Sequence, residues 1–155
     1  MLRRAERELN ELLVSTYDNI GRVEDSMLAS HKTDLTIAEL HGLEVVGRSP
    51  DGQASITSIA QTLGLTLPTV TVAIKRLEKK GYVEKHKDTR DARVTLVTLT
   101  RQGRKMDAAH RYFHENMVRS ITGEMSESEV ETLVKVLGKL NAFFERKQQE
   151  YNAKK

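Results

Sequence analysis

Residues 66–93 read TLPTVTVAIKRLEKKGYVEKHKDTRDAR and predict a capped helix followed by a β-hairpin. Thr66 is a typical N-cap residue, and Pro68 falls in the first helical turn, where its missing N–H removes no helical hydrogen bond. The helix is predicted to stop near Gly81 and to bury one apolar stripe at helical spacing, made of Val70, Ile74 and Leu77. The runs YVEKHK and ARVTLVTLT are rich in β-branched residues, flank DTRD and predict the two strands.

The chain just before this stretch predicts a second, shorter helix. RSPDGQ (48–53) has the chemistry of a turn, Ser55 is placed to cap the helix in ITSIAQTLGL, and Gly64 is placed to end it. Two short helices joined by a tight turn and followed by a basic hairpin form a winged helix-turn-helix. A helix of about twelve residues fits the major groove of B-DNA, while the helix before it braces it. A winged helix used for protein contacts remains the alternative.

The remaining helices are predicted from apolar stripes and caps, at residues 5–28, 36–47, about 101–121 and after Ser126. Thr36 and Thr100 are placed as N-caps, and Ser126 with Glu129 forms a capping box. The predicted order is α-α-α-α-β-β-α-α, a mainly α fold with a small β-hairpin wing.

The charge of this 155-residue chain is unevenly placed. Its formal net charge is +3, but residues 75–93 hold eight Lys and Arg against four Asp and Glu, so the rest of the chain sums to −1. A basic patch on an otherwise neutral chain indicates a polyanionic partner with a defined docking face, although a solvated charged surface gives the same count.

Several other classes of protein are disfavoured. The chain contains no Cys, which excludes disulfides and thiolate zinc sites. It has no apolar run of 18 residues, and its N-terminal MLRRAERELNELL lacks a signal-peptide core, so we expect a cytoplasmic protein with no membrane segment. The motifs GxxxxGK(S/T), GxSxG and HExxH are absent, so we expect neither an enzyme nor a bound cofactor.

The outer face of the 66–79 helix and the wing tip supply the predicted DNA contacts. Residues near the start of the helix are expected to meet base edges, and those further along to meet phosphates. Val72 is placed to pack on a thymine methyl, and Arg90 and Arg93 to reach phosphates or the minor groove. The full predicted set is Thr66, Pro68, Thr69, Thr71, Val72, Lys75, Arg76, Lys79, Lys87, Arg90 and Arg93.

Nearly the whole chain resembles the MarR-type transcription regulators. The most specific segments are LEKKGYVEK, the wing pattern D-x-x-D-x-R and LTxxG, whose fixed positions are Asp88, Asp91, Arg93, Leu99, Thr100 and Gly103. The resemblance implies that Asp91 pairs with Arg93 within the wing and that Arg93 enters the minor groove. The sequence departs from the pattern at Val72, where many members carry Arg, so base readout is expected to be weaker or differently aimed.

The resemblance also implies a two-fold homodimer. Residues 1–34 and 101–150 would form a helical dimerisation region, and residues 35–100 the winged helix-turn-helix DNA-binding domain. Such a dimer binds double-stranded DNA at a pseudo-palindrome with half-sites about one helical turn apart.

Within the family, three segments resemble the fatty-acid biosynthesis repressors of Gram-positive bacteria. They read IAELHGLEVVGRSPD, LPTVTVAIKRLEKKGY and FHENMVRSITGEMSESE. In that group long-chain acyl-acyl carrier protein is the corepressor, which makes it the expected effector here.

Three histidines remain to be explained. His110 and His114 lie four apart on one helix face, and the family fold places His41 opposite them. They favour an effector pocket, with an apolar wall formed by Leu40, Leu43, Met106, Phe113 and Met117. Structural histidines without a ligand are the second interpretation.

The third interpretation is a tetrahedral zinc site built from the same three imidazoles and one carboxylate. The zinc-sensing branch of the family is similar at all three histidines and adds a glutamate from the first helix. Glu24 lies near that place but about one residue out of register, which is a rotation of about 100° on a helix. Glu39, the other candidate, sits on a different face from His41.

Overall fold

The computed structural model describes residues 3–153, which form six helices and three strands. In chain order these are α1 (Arg4–Ser30), α2 (Ile37–Gly47), β1 (Gln53–Ser55), α3 (Ile56–Leu63), α4 (Leu67–Lys79), β2 (Val83–Lys87), β3 (Thr95–Leu99), α5 (Arg101–Thr122) and α6 (Glu127–Asn152). Every predicted helix is present, and the mainly α fold with a small β wing is confirmed. The chain divides into two compact units, one up to Phe113 and one from His114 onward. The first two residues of the predicted dimerisation region lie outside the described residues.

Side-chain caps set the helix starts as the sequence predicts. The hydroxyl oxygens of Thr36, Ser55 and Thr66 accept hydrogen bonds from backbone N–H groups three residues later. The capping box of Ser126 and Glu129 is formed in full. These bonds satisfy N–H groups that have no partner within the helix, so each start is fixed locally.

The sheet has one strand more than predicted. The three-residue strand β1 pairs antiparallel with β3, giving the order β1-β3-β2. Its residues Gln-Ala-Ser carry no β-branched run, and its pairing partner lies about forty residues further on, so no local pattern reveals it. Its addition ties the turn before α3 to the base of the wing.

The core of the first unit lies between α2, α3, α4 and the sheet. The predicted stripe of α4 is buried, and so is the stripe of α2 formed by Leu40, Leu43 and Val46. Ile59 of α3, Val83 of β2 and Val97 of β3 complete its centre. Burying a side chain of this size stabilises the fold by about 1.5–3 kcal/mol, so these contacts hold α4 by its inner face.

A partly buried ion pair joins the end of α4 to the start of α2. Lys80 Nζ donates to Glu39 Oε2 at 2.8 Å and to the Asp34 carbonyl at 2.6 Å. Burial tends to raise the pKa of Glu39, but the hydrogen bonds from Lys80 and from the Thr36 backbone outweigh it and hold that pKa below its ordinary value. Glu39 therefore has a structural role. Lys80 is the lysine at the end of α4 whose ammonium group is held in this ion pair.

The junction between the wing and α5 depends on a glycine. The Tyr82 carbonyl accepts a hydrogen bond from the Thr100 backbone N–H at 3.0 Å. The Thr100 hydroxyl donates to the Gly81 carbonyl at 2.7 Å and lies 3.1 Å from the Tyr82 carbonyl. A Cβ on Gly103 would lie only 2.0 Å from that carbonyl oxygen. The L-T-x-x-G segment therefore packs the first turn of α5 directly onto the backbone where β2 begins.

Long apolar faces remain exposed on the outer helices. In α1 the exposed apolar residues include Leu9, Leu12, Val14, Tyr17 and Val23, and in α6 they include Val134, Leu137, Phe143 and Phe144. No single helix within residues 3–153 is long and apolar enough to cross a membrane. The α3–α4 pair reaches that length and composition only when its two helices are taken together across a 113° bend.

The close approach at Gly103 predicts that adding one methyl group there strongly lowers the free energy of unfolding. Gly103→Ala should destabilise the protein by about 3 kcal/mol or more, because its neighbour is backbone and cannot move aside. The matched control is Gly42→Ala in α2, where the new methyl would meet Leu77 Cδ1 at an ordinary 3.7 Å. That change should stabilise the helix by up to about 1 kcal/mol. Urea denaturation followed by circular dichroism at one protein concentration measures both, and equal stabilities would contradict the packing described.

Candidate functional site

The two helices α3 and α4 have the geometry of a helix-turn-helix. They meet at 113°, and Gly64 between them adopts a left-handed φ of +64°, which glycine reaches without a steric penalty. An angle near 90–120° is typical of DNA-binding helix-turn-helix units. With its inner stripe buried, α4 presents its other face to solvent.

The outer face of α4 carries the side chains that the sequence predicts. Val72 is half exposed, and Thr71 at the edge of the face is partly buried. The exposed members of the predicted set are Thr66, Pro68, Thr69, Val72, Lys75, Arg76 and Lys79. Their exposure to solvent therefore agrees with the helical pattern of the sequence. Their contacts with DNA bases stay a prediction.

The threonine hydroxyls at the start of α4 already form hydrogen bonds within the chain. The Thr66 and Thr69 hydroxyl oxygens lie 2.8 Å apart, and the Thr71 hydroxyl donates to the Leu67 carbonyl at 2.8 Å. Thr71 therefore has only acceptor capacity left for a ligand. On a base edge, such an oxygen suits the amino group of adenine or cytosine.

Two exposed leucines next to the turn are not in the set of DNA contacts predicted from the sequence. Leu65 and Leu67 are each nearly half exposed, beside the N-terminus of α4. Leu67 lies three residues before Val70, so helical spacing alone would assign it to the buried stripe. It is exposed because the helix begins at this residue and no other element covers it.

The five Lys and Arg residues within residues 75–85 divide into two groups. Lys80 is paired with Glu39, and Lys85 is paired with Glu78 at 2.8 Å, so both are held by the fold. Lys75, Arg76 and Lys79 are exposed and form no ion pair within residues 3–153. Unpaired cations on the outer face of α4 are the groups that can neutralise phosphates.

The wing tip holds its arginines in a defined turn. Asp91 Oδ1 accepts from the backbone N–H and from Nε of Arg93, both at 3.0 Å, and Oδ2 accepts from Nη2 at 3.1 Å. The pairing that the family resemblance implies is therefore present. The Arg93 side chain, and then its backbone N–H, hold the pKa of Asp91 below its ordinary value. Arg93 itself remains 91% exposed.

The rest of the tip is organised by Asp88. Its Oδ1 accepts from the Arg90 backbone N–H at 2.7 Å, and Lys87 Nζ donates to the Thr95 hydroxyl at 3.2 Å. Because residues 88–94 form this turn, β3 begins at Thr95 and not at the predicted start of the ARVTLVTLT run. The loop projects Arg90, which is 90% exposed, together with Arg93.

A separate polar cluster lies on α1, α2 and α5. Glu24 Oε1 is 3.7 Å from His41 Nε2 and 3.6 Å from His110 Nε2. Glu44 Oε2 is 3.7 Å from His110 Nδ1. Glu24 is buried and faces both imidazoles, so the expectation that it lies out of register is wrong.

The other residues predicted for this site fall into two groups. Leu40 and Leu43 are fully buried in the core, and Met106 and Phe113 pack with that core. His114 and Met117 are partly buried and belong to the second compact unit. Within the first unit, Glu24, His41 and His110 therefore lie together, flanked by Glu44, while the part played by His114 and Met117 stays a prediction.

Two cavities open on either side of His41. One of about 620 Å³ is lined by residues of α1 and α2, among them Tyr17, Ile20, Gly21, Glu24 and Ile37. The other, of about 460 Å³, lies between α2 and α3 and includes Glu44 and Arg48. Both volumes lie in the range of small-molecule sites.

Several solved structures with this architecture are complexes with DNA. The MarR family model matches residues 35–95. FabT from Streptococcus pneumoniae, solved in complex with DNA, is 34% identical, with a TM-score of 0.85 over 90% of this chain and 97% of that one. The S. aureus MepR–DNA complex is 25% identical, with a TM-score of 0.72 over 86% of this chain and 96% of that one.

Sequence relatives agree over a shorter region. The HTH-type transcriptional regulator YwaE of Bacillus subtilis is 32% identical over 90 residues, which are 57% of this chain and 52% of that protein. The chain spans about half the length of the first such relatives.

The Asp91–Arg93 pair makes a prediction that opposes simple charge counting. Asp91→Asn removes a negative charge, which alone should strengthen binding to a polyanion. We expect it instead to weaken DNA binding about threefold to tenfold, because Arg93 loses the group that orients it. For Arg93→Ala, the slope of the logarithm of DNA affinity against the logarithm of salt concentration should be smaller in magnitude by about one unit.

The matched control for this experiment is Glu84→Gln, an equal charge change at an exposed position of β2. Fluorescence anisotropy with DNA from upstream of the gene, at several salt concentrations, measures all three variants. If Asp91→Asn strengthened binding as Glu84→Gln is expected to, the positioning role of Asp91 would be refuted.

Proposed function

Because this chain belongs to the MarR family of DNA-binding transcription regulators, we propose that it is a homodimeric repressor of fatty-acid and membrane-lipid biosynthesis genes. Proteins of this family are regulators and not enzymes, as the sequence leads us to expect. The observation that carries the proposal is the exposed outer face of α4 beside a wing arginine held by Asp91. The segments that resemble the fatty-acid repressors, and the similarity to FabT over most of the chain, support the choice of target genes.

The exposed apolar faces support a dimer. The apolar residues of α1 and of α6 form stripes along helices that are each about 40 Å long. Monomeric proteins rarely expose contiguous apolar surface of this extent. A two-fold dimer that covers these stripes would place two copies of α4 on one duplex, with half-sites about one helical turn apart.

The proposed corepressor is long-chain acyl-acyl carrier protein, acting through the 620 Å³ cavity. Tyr17, Ile20 and Ile37 provide apolar surface, and His41 with Glu24 provides polar groups at one side. An acyl chain bound there would contact α1 and α2, and α2 packs against α4 through the core. Binding that favours one arrangement of these helices would raise the population able to bind DNA.

This corepressor role predicts a response to filling the cavity. A gel-shift titration should show that long-chain acyl-acyl carrier protein raises operator affinity of the wild type. Gly21→Leu should abolish that rise, because Gly21 lines the cavity and its added side chain would project into open space. Gly21→Ala, the matched small substitution, should retain the response. An unchanged wild-type affinity would reject the corepressor and leave the DNA-binding role standing.

A zinc-responsive regulator is the second candidate function, favoured by the histidine cluster. One ligand atom from each of Glu24, His41 and His110 lies within 4.8 Å of the others. Zinc bonds of about 2.0–2.2 Å bring neighbouring ligand atoms to about 3.3 Å, and the Glu24–His41 and Glu24–His110 separations of 3.7 and 3.6 Å are close to that value. Glu44 lies on the far side of the His110 ring, where a carboxylate can orient a metal-binding imidazole. Zinc there would tie α1, α2 and α5 together.

Metal analysis distinguishes the two candidates. If zinc is the effector, protein purified without chelator should contain about one zinc per chain. His41→Ala should lose it, and His86→Ala on the wing should keep it. Elemental analysis gives the zinc content directly. Zinc-free wild-type protein that takes up no zinc from solution would reject this candidate.

A further inference from the structure

A small cavity with a basic rim lies beyond the C-terminal end of α4. It is separate from the outer face of α4 and from the histidine cluster. Its volume is about 250 Å³, and it forms where the α1–α2 connection meets the start of β2 and the first turns of α5. Its polar lining consists of His31, Lys32, Thr33, Tyr82, Gln102 and Lys105. Tyr82 follows the C-terminal end of α4, about 20 Å along the helix from Thr66.

The charge of this cavity is uniformly positive or neutral. No Asp or Glu lines it, and the side chains of Lys32 and Lys105 form no ion pair or hydrogen bond within residues 3–153. The neighbouring acid, Asp34, lies 3.8 Å from Lys80 and is held there by the end of α4. Two uncompensated ammonium groups at one concave site concentrate positive potential on it.

The floor of the cavity offers a hydroxyl donor. The Tyr82 hydroxyl and Thr33 Oγ1 are 2.9 Å apart, and Thr33 Oγ1 also accepts from the Leu35 backbone N–H at 3.2 Å. Only one of the two hydroxyls can donate within this pair, so the hydrogen of the other remains to be donated elsewhere. Tyr82 is 95% buried, so its hydroxyl is held in place by the core.

The backbone at Lys32 adds a second, independent observation. Lys32 has a φ of +49°, and among the described residues it is the one non-glycine residue with a positive φ. It follows the end of α1, a position that is commonly glycine because a side chain in the left-handed region is strained. The chain keeps a lysine where glycine would be more stable, and strain of this kind is found at ligand sites.

We propose that this cavity binds the phosphoryl group of a small phosphorylated molecule. Lys32 and Lys105 neutralise its charge, the Thr33–Tyr82 hydroxyl pair and the Gln102 amide donate hydrogen bonds to its oxygens, and Met106 supplies apolar surface beside them. No residue of the predicted DNA-binding set lines this cavity, so the site is separate from the proposed DNA contacts. The site is distinct from the proposed acyl cavity and does not depend on it.

Inorganic pyrophosphate is the probe for this site, tested on the full chain without DNA at constant ionic strength. The wild type should show a saturable rise in melting temperature with pyrophosphate. Lys105→Ala should weaken that response at least about tenfold, because a charge-assisted contact is removed. Lys139→Ala on α6 is the matched control for loss of one lysine and should respond as the wild type does.

Lys32→Gly separates ligand binding from folding. Because it relieves the left-handed strain, it should melt at or above the wild-type temperature without pyrophosphate, yet lose the response to it. A retained response in Lys32→Gly, or no saturable response in the wild type, would overturn the proposal. Loss of the response in Lys79→Ala would place the anion on the DNA-reading face and overturn it as well.

Discussion

The close approach of Gly103 to the Tyr82 carbonyl is the constraint on which the arrangement of this protein depends. At this point the segment after α4, the end of β3 and the first turn of α5 meet, with Thr100 bonded to the same carbonyl. No side chain fits between the two backbones, so the direction of α5 is tied to the base of the wing. Since only two residues separate Tyr82 from α4, that helix and the wing are held in one frame.

Within that frame, α2 connects the DNA-reading helix to the polar cluster. One side of α2 packs on α4, where Gly42 lies against Leu77, and the Lys80–Glu39 pair fixes the end of α4 to the start of α2. The other side carries His41 toward Glu24 and His110. A ligand beside His41 therefore acts on an element that contacts α4 directly. Through this contact, binding of the proposed corepressor can change the affinity for DNA. The size of that change is the coupling free energy between the two sites.

Much of the fold follows from local sequence, because caps and apolar spacing act within a few residues. The caps at Thr36, Ser55 and Thr66 and the stripes of α2 and α4 are of this kind. β1 was missed because its pairing is with a distant strand. The cluster was only partly predicted: spacing on one helix cannot show that Glu24 turns inward, nor that Leu40 and Leu43 belong to the core. The basic cavity at Lys32 joins three distant segments, so no local pattern in the sequence predicts it.

In the proposed homodimer, two copies of the α4 face and the wing bind a two-fold DNA site. Selection of bound duplexes from a random-sequence pool, with and without long-chain acyl-acyl carrier protein, measures whether they do. We expect an enriched pseudo-palindrome whose half-sites are centred about 10–10.5 base pairs apart or a multiple of that spacing. Enrichment of no motif in either condition, or of a single unrepeated half-site, would contradict it.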